Sequence, residues 1–134
     1  MNPCPCSPDV EYTACCGRYL SGGQLPPTAE ALMRSRYTAF ARQNANYLVA
    51  TVLPEKRARN ELKSTQKSFR GVLWTRLEIL ATDKGAEGDD TGIVEFNAYW
   101  KAAAGRGNGT LHERSTFVKQ GDRWYYLDGE QFPA

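Results

Sequence analysis

The four cysteines of the chain lie within its first 16 residues, and their spacing could bind a metal ion. They form two close pairs, Cys4-Pro5-Cys6 and Cys15-Cys16, with eight residues between the pairs. A structural zinc site takes four sulfur or nitrogen ligands in a tetrahedron and leaves no position for water. Two pairs on either side of a short loop can wrap such an ion, although the spacing differs from the common pattern with two residues between paired cysteines. The residues therefore predict one structural zinc ion held by four thiolates.

Two other uses of these cysteines remain open: disulfide bridges between them, and redox or nucleophilic reactivity of one thiolate. Disulfides persist in oxidising compartments. The chain begins with Met1-Asn2-Pro3, without the basic and apolar regions of a secretory signal, so we expect a cytoplasmic protein with reduced thiols. A reactive thiolate is typical of electropositive surroundings, whereas Asp9 and Glu11 lie between the two cysteine pairs. Metal binding is therefore the favoured interpretation.

The composition is that of a folded globular domain. The chain has 134 residues, of which 41% are hydrophobic and 24% charged, and this excludes a disordered or collagen-like protein. No apolar run approaches the length of a membrane-spanning helix. The 17 basic and 15 acidic side chains give a net charge of +2, whereas nucleic-acid-binding domains normally carry a strong, clustered positive charge. We therefore expect a protein partner, or a small-molecule ligand, rather than nucleic acid or a membrane.

Residues 1–27 contain many Pro and Gly residues, which exclude a long helix or a central strand there. Helical periodicity begins after Thr28, which is expected to cap the first helix. The polar residues of this helix are predicted to face solvent: Arg34, Ser35, Thr38 and Arg42. A second short helix is predicted over residues 47–53, and a third, mostly polar one over residues 56–67.

From Val72 onward the period of the apolar residues changes to two, which predicts strands. Turns rich in glycine or acidic residues separate four such segments: 72–79, 94–100, 111–119 and 123–128. Successive hairpin connections predict an antiparallel meander, and helices followed by strands predict an α+β fold with the helices on one face of the sheet. We expect two units, residues 1–20 ordered by the metal and residues 28–134 ordered by their own core.

The cysteine segment also resembles a known metal-binding module. Cys-Pro-Cys, eight residues with Tyr12 sixth among them, and Cys-Cys-Gly are similar to the SEC-C motif of the preprotein translocase motor and of small bacterial proteins. The resemblance implies zinc ligation by all four cysteines: Cys4, Cys6, Cys15 and Cys16. The family usually has a Gly-Ser-Gly turn and a lysine-rich stretch where this chain has residues 7–11, two of them acidic. The translocase motif contacts an acidic chaperone surface through basic residues, so that partnership is not expected here.

Most of the remaining chain resembles YchJ-like bacterial proteins. Among the matching segments are Arg-Ser-Arg-Tyr-Thr-Ala-Phe at 34–40, His-Glu-Arg-Ser-Thr-Phe at 112–117 and Gly-Asp-Arg-Trp-Tyr-Tyr-Leu-Asp-Gly at 121–129. The resemblance implies an NTF2-like cone, in which helices wrap a curved antiparallel sheet. It implies no activity, because none is established for the family.

A cone of this kind can hold a pocket, and polar and aromatic residues of the predicted strands could line it. The candidates for ligand contact are Trp74, Asn97, Tyr99, His112 and Arg114. Alternation places His112 and Glu113 on opposite faces of one strand, so these neighbours cannot form a catalytic dyad. Structural hydrogen bonds and packing explain the same residue types, and no catalytic residue is assigned.

The leading hypothesis is a non-enzymatic zinc-binding protein that acts as a protein-interaction adaptor. The alternative is a small-molecule-binding or enzymatic cone that uses polar residues of its concave sheet face. The interior of the cone separates the two hypotheses. A pocket of roughly several hundred Å3 with converging polar groups favours a ligand, whereas an interior filled by aromatic side chains favours the adaptor.

Overall fold

A computed structural model describes residues 2–133 of the chain. The N-terminal segment contains β1 (Pro3–Cys4), β2 (Ser7–Glu11), a 3-10 turn (Tyr12–Ala14) and α1 (Gly17–Leu20). Three helices follow, α2 (Ala29–Ala41), α3 (Ala45–Ala50) and α4 (Glu61–Ser68), with a 3-10 turn (Pro54–Lys56) before α4. The chain then forms four long strands: β3 (Val72–Lys84), β4 (Thr91–Ala102), β5 (Asn108–Gln120) and β6 (Arg123–Phe132). This order confirms the predicted α+β fold.

The long strands form one antiparallel sheet in the order β3-β4-β5-β6, which confirms the predicted meander. Each strand is longer than its prediction, because the hairpins continue to pair beyond the alternating apolar residues. The register places Phe96 of β4 opposite Glu113 of β5, and Glu113 opposite Gln131 of β6. The face that carries Phe96 and Glu113 lies beneath α2 and is here called the inner face. Register shifts in β3 and between β5 and β6 bend the sheet.

Helix α2 packs against the inner face and begins where the sequence predicts. Thr28 accepts a hydrogen bond from the N–H of Ala31 at 3.0 Å, which confirms the predicted N-cap. Leu32, Met33 and Tyr37 form the buried apolar side of this helix. Their spacing follows the predicted helical period.

The prediction that Ser35 and Thr38 of α2 face solvent is wrong, since both side chains are 0% exposed. Helix α2 is covered on more than one side, by the sheet, by α3 and by the N-terminal segment. Ser35 donates to the carbonyl oxygen of Leu32 at 2.8 Å and lies 2.6 Å from the hydroxyl of Tyr47. Small hydroxyl side chains can be buried at low cost when each finds a partner inside.

The shorter helices differ from their predicted bounds. Helix α3 begins at Ala45, ahead of the prediction, because Asn44 caps it by accepting a hydrogen bond from the N–H of Tyr47 at 3.1 Å. Helix α4 has no buried residue, in agreement with its polar sequence. Within residues 2–133 no helix is both long enough and apolar enough to cross a bilayer.

One hydrophobic core joins the N-terminal segment to the helices and the sheet. Leu32, Phe117 and Trp124 are nearly or fully buried, and Cys4 and Cys16 belong to the same buried cluster. The core therefore crosses the boundary predicted between residues 1–20 and residues 28–134. The N-terminal segment covers part of the core that the sheet and α2 build.

Candidate metal centre and internal cavity

The Sγ atoms of the four cysteines lie within 4.8 Å of one another. Cys6 Sγ is 3.6 Å from Cys4 Sγ and 3.5 Å from both Cys15 Sγ and Cys16 Sγ, and Cys15 and Cys16 are 4.0 Å apart. Sulfur ligands about 2.3 Å from a tetrahedral zinc ion are separated by about 3.8 Å. None of the four cysteines forms a disulfide. The four thiols are thus spaced like the ligands of one metal ion.

The β1–β2 hairpin carries the first cysteine pair and is fastened to α2. Cys4 ends β1, and Cys6 lies in the turn that leads into β2. From α2, Arg34 donates hydrogen bonds to the carbonyl oxygen of Cys6 at 3.3 Å and to Ser7 Oγ at 3.2 Å. Thr38 Oγ1 lies 3.6 Å from Cys4 Sγ. Outer contacts of this kind orient metal ligands.

The second pair follows the 3-10 turn and leads into α1. The N–H of Cys15 donates to the carbonyl oxygen of Tyr12 at 3.0 Å, and Cys16 directly precedes α1. Gly17 is needed at the next position, because a Cβ there would lie 2.7 Å from the carbonyl oxygen of Tyr12. On the outside, the guanidinium of Arg42 stacks 4.1 Å from the centre of the Tyr12 ring. These contacts hold the second pair against the first.

The donor set fits a soft divalent cation. Hydrogen bonding with Cys16 lowers the pKa of the Cys4 thiol, and the bond with Cys4 raises the pKa of the Cys16 thiol. Desolvation raises the pKa of Cys15 to about 11. Without a cation, four thiolates this close would repel one another, so the cluster retains protons. All-sulfur coordination suits zinc, and a zinc ion bound here would serve as a cross-link with no open ligand position.

A cavity of about 350 Å3 lies between α2 and the inner face of the sheet. Its apolar and aromatic lining consists of Met33, Tyr37, Phe40, Trp74, Phe96, Ala98 and Leu111. Its polar groups belong to Arg36, Glu113, Ser115, Tyr126 and Gln131. Small-molecule sites usually have this form, a mostly apolar hollow with a few converging polar groups.

Glu113 is the acidic group of the cavity, and neutral donors surround it. Its Oε2 accepts hydrogen bonds from Ser115 Oγ at 2.6 Å and from the Tyr126 hydroxyl at 3.5 Å. Its Oε1 accepts from Gln131 Nε2 at 3.4 Å. Only 9% of the residue is exposed. Glu113 is therefore a buried carboxylate oriented by residues of β5 and β6.

Arg36 is the basic group of the cavity and is 8% exposed. Its Nη1 donates to the carbonyl oxygen of Leu48 at 2.9 Å and to Thr51 Oγ1 at 2.6 Å. Its guanidinium lies 4.6 Å from the centre of the Tyr126 ring. Desolvation lowers the pKa of Arg36 to about 10, against the opposing charges of Tyr126 and other groups. Among residues 2–133 it makes no ion pair.

The predicted pocket candidates divide between the two faces of the sheet. Trp74 lines the cavity. The other four do not, and they lie on the outer face: Asn97, Tyr99, His112 and Arg114. There the Tyr99 hydroxyl donates to Glu78 at 2.8 Å, and His112 Nε2 lies 2.7 Å from Glu95 Oε2. Their predicted place in the pocket is corrected. Helix α2 packs on the apolar residues of β4, and the β5 residues that pair with those, such as Glu113, are therefore internal.

Sequence reasoning missed the charged groups of the cavity, although two signals point to them. Glu113 alternates with Leu111, so the apolar phase of β5 already places it on the inner face. Arg36 lies three residues after Met33 and four before Phe40, which places it on the apolar side of α2. Either signal identifies a cavity residue only if a charged side chain is assumed to be internal, and charged residues are rarely buried.

The chain is similar to proteins of one bacterial family. A family model described as the YchJ middle NTF2-like domain matches residues 28–129. A UPF0225 protein of Streptomyces coelicolor is 45% identical, over 96% of this chain and 94% of its own length. A UPF0225 protein of Corynebacterium glutamicum is 44% identical, over 95% of each chain.

Two solved structures share the whole architecture. A SEC-C motif containing protein from Rhodopseudomonas palustris has a TM-score of 0.83 and 30% identity, over 98% of this chain and all (100%) of its own. One from Psychrobacter arcticus has a TM-score of 0.77 and 30% identity, over 100% of this chain and 85% of its own. The fold of nearly the whole chain is thus shared with these two proteins, and this chain belongs to the UPF0225 family of proteins with a YchJ-type NTF2-like domain.

Proposed function

We propose that this protein binds a small molecule inside its NTF2-like domain and that one structural zinc ion holds its N-terminal segment in place. The observation that carries the proposed function is the cavity of about 350 Å3, into which a buried Glu113 and a buried Arg36 both face. Burying an unpaired charge costs free energy. Two such charges at a mostly apolar cavity are easier to explain by a ligand than by stability alone.

The structural role of zinc follows from the closed donor set. Four thiolates complete a tetrahedral shell, so no position is left to activate water or substrate. The thiols Cys4 and Cys16 are each 1% exposed and belong to the core cluster. Zinc in this place stabilises the contact between the N-terminal segment and α2.

The adaptor hypothesis is less well supported than ligand binding. An adaptor was expected to have an interior filled by aromatic side chains, yet a cavity lies beside Tyr37, Phe40 and Trp74. Ser115 and Glu113 form one hydroxyl–carboxylate contact in the cavity, and we assign it to ligand binding rather than to a catalytic step.

The zinc part of the proposal is tested by metal analysis of purified protein. We expect one zinc per chain, and Cys16→Ser should lose it because three thiolates remain. A matched variant, Ser21→Ala, changes a hydroxyl outside the cluster and should retain one zinc. Wild-type protein without bound metal, or with disulfides under reducing conditions, would contradict the structural-zinc proposal.

The ligand-binding part is tested by filling the cavity. Toluene, a small apolar probe, should shift the NMR signals of cavity residues in the zinc-bound protein. Ala98→Phe places a ring inside and should weaken toluene binding by about tenfold or more. Its neighbour on the outer face offers the control Asn97→Leu, which should bind toluene like the wild type. Circular dichroism verifies that both variants are folded, and a wild-type protein that binds no probe would overturn the proposed function.

A further inference from the structure

We propose that the ligand is a neutral, ring-sized aromatic molecule with a hydrogen-bond donor next to an acceptor, such as the amide edge of a nitrogen heterocycle. This inference rests on the proposed function, because it names the ligand class of the same cavity. Glu113 would accept a hydrogen bond from the donor group of the ligand, and Arg36 would donate one to its acceptor group.

The size and wall of the cavity indicate a ring. A volume of about 350 Å3 corresponds to about a dozen water molecules. One side of the cavity is a cluster of aromatic rings, in which Tyr37 and Phe40 each lie with their ring centres 6.4 Å from that of Trp74. Edge-to-face and offset contacts with such rings favour a flat aromatic body.

The acidic group can still accept a hydrogen bond. A carboxylate has about four lone-pair positions, and Glu113 accepts from three protein donors, Ser115, Tyr126 and Gln131. Two of these hydrogen bonds are long, at 3.4 and 3.5 Å. An N–H or O–H of a ligand can therefore bond to Glu113 without displacing its strongest partner, Ser115.

The basic group can still donate. Both protein acceptors of Arg36 bond to Nη1, and the structure records no hydrogen bond from Nε or Nη2 to residues 2–133. A guanidinium has five N–H donors. A carbonyl oxygen or ring nitrogen of the ligand would use those that remain.

The opposite charges of the two groups disfavour a ligand that carries a net charge. Arg36 and Glu113 both line the cavity, yet no ion pair joins them. An anion bound near Arg36 would meet the carboxylate of Glu113, and a cation bound near Glu113 would meet the guanidinium. In a poorly solvated cavity like charges repel strongly. A neutral molecule with adjacent donor and acceptor satisfies both groups without this cost.

A groove beside the cavity offers a path for the ligand. Arg36, Phe40 and Tyr126 line the cavity and also a surface groove bordered by α3 and α4. No residue of α4 is buried. The groove therefore reaches the wall of the cavity at these three side chains.

The proposal is tested with three probes of one size and different charge: benzamide, benzoate and benzylamine. Their affinities for zinc-bound protein at neutral pH are measured by calorimetry or by NMR titration. We expect benzamide to bind about tenfold or more tightly than either charged probe. Glu113→Gln removes the carboxylate charge at constant size and should raise the affinity for benzoate relative to benzamide by about tenfold. Glu78→Gln makes the same change on the outer face and should alter neither affinity.

Each outcome bears on the ligand class or on the proposed function. Preference for benzoate or benzylamine, or equal binding of all three probes, overturns the neutral class while small-molecule binding stands. Binding of none of the three together with binding of toluene also overturns the class. Binding of neither the probes nor toluene overturns the proposed function itself. If Glu113→Gln does not fold, the probe preference of the wild type still decides.

Discussion

The four-cysteine cluster and the cavity are assembled in opposite ways. All four thiols come from one stretch of 16 residues, and a hairpin with one helical turn brings them together. The cavity takes its charged groups from residues 77 positions apart, Arg36 and Glu113. Local spacing therefore specifies the metal centre, whereas only the packing of α2 on the sheet creates the cavity.

One helix serves both sites. Arg34 and Thr38 of α2 contact the cysteine hairpin, and Arg36 and Phe40 of the same helix line the cavity. Residues at alternate positions of one helix thus face two different sites. A change in the metal centre can therefore reach the cavity through α2, and this makes the comparison between the two regions testable.

Removal of the metal should have the largest effect. Structural zinc contributes about 10 kcal/mol or more of binding free energy in small zinc domains. After chelation, amides of residues 2–20 should exchange with solvent at once and those of α2 faster than before, while β4 and β5 remain protected because they keep their own core. Hydrogen exchange measured by mass spectrometry checks this order. Loss of protection throughout the chain would show that both regions form one cooperative unit.

Truncation in the core of the sheet should have the next largest effect. Phe117 is 0% exposed, so Phe117→Ala should lower the free energy of unfolding by about 3–5 kcal/mol. The zinc content of the folded protein should not change, because the cysteine pairs form locally. The control Leu80→Ala removes a side chain that is 44% exposed and should cost about 0.5 kcal/mol or less. Chemical denaturation gives both values, and zinc loss from folded Phe117→Ala would contradict the comparison.

Alkaline pH should destabilise the cone through three tyrosines. Desolvation raises the pKa of Tyr37, Tyr47 and Tyr126 from 10 to about 12. The unfolded chain releases these protons first, so the stabilisation is complete below pH 10 and is lost as the pH rises toward 12. Arg36 opposes this, because its lowered pKa of about 10 makes stability rise over the same interval. Because three tyrosines lower the stability and one arginine raises it, the net effect is a loss of stability as the pH rises.

Denaturation midpoints measured across this pH range check the sign. Tyrosinate absorbance should increase together with unfolding rather than before it. Tyr126→Phe should reduce the pH dependence, because it removes one of the three raised pKa values. Stability that rises with pH over the interval would contradict the assignment of buried tyrosines.

The smallest effect is expected where the two regions meet. Thr38→Val keeps the shape of the side chain and removes the hydroxyl that lies 3.6 Å from Cys4 Sγ. We expect a loss of stability of about 1 kcal/mol and a decrease in zinc affinity of about tenfold. Competition with a chelator measures the affinity. The control Thr13→Val changes an exposed threonine near the cluster and should alter neither the stability nor the zinc affinity. An unchanged zinc affinity in Thr38→Val would show that α2 does not influence the metal centre.

Sequence reasoning predicted the elements well where the signals are local. The Thr28 cap, the four strands and their meander order are confirmed. The prediction misses the start of α3, because its cap, Asn44, lies ahead of the apolar residues that indicate the helix. Ser35 and Thr38 were placed outside because hydroxyl side chains resemble surface residues until their partners are known. Four of the pocket candidates lie on the outer face, Asn97, Tyr99, His112 and Arg114, and their alternation with the apolar residues of β4 and β5 already separates them from the inner set.

The sequence by itself determined the cysteine cluster, the α+β order and the family, because each depends on residue types at short spacing. Only the tertiary structure decided which individual side chains of the sheet α2 covers, since this depends on where α2 packs. It also decided that Arg36 and Glu113 share one cavity. Alternation divides a strand into an apolar set and a polar set of side chains, but it does not say that a charged member of the apolar set, such as Glu113, is buried there. The burial of that set requires contacts between segments far apart in the chain. These contacts place Glu113 and Arg36 in the interior of the domain.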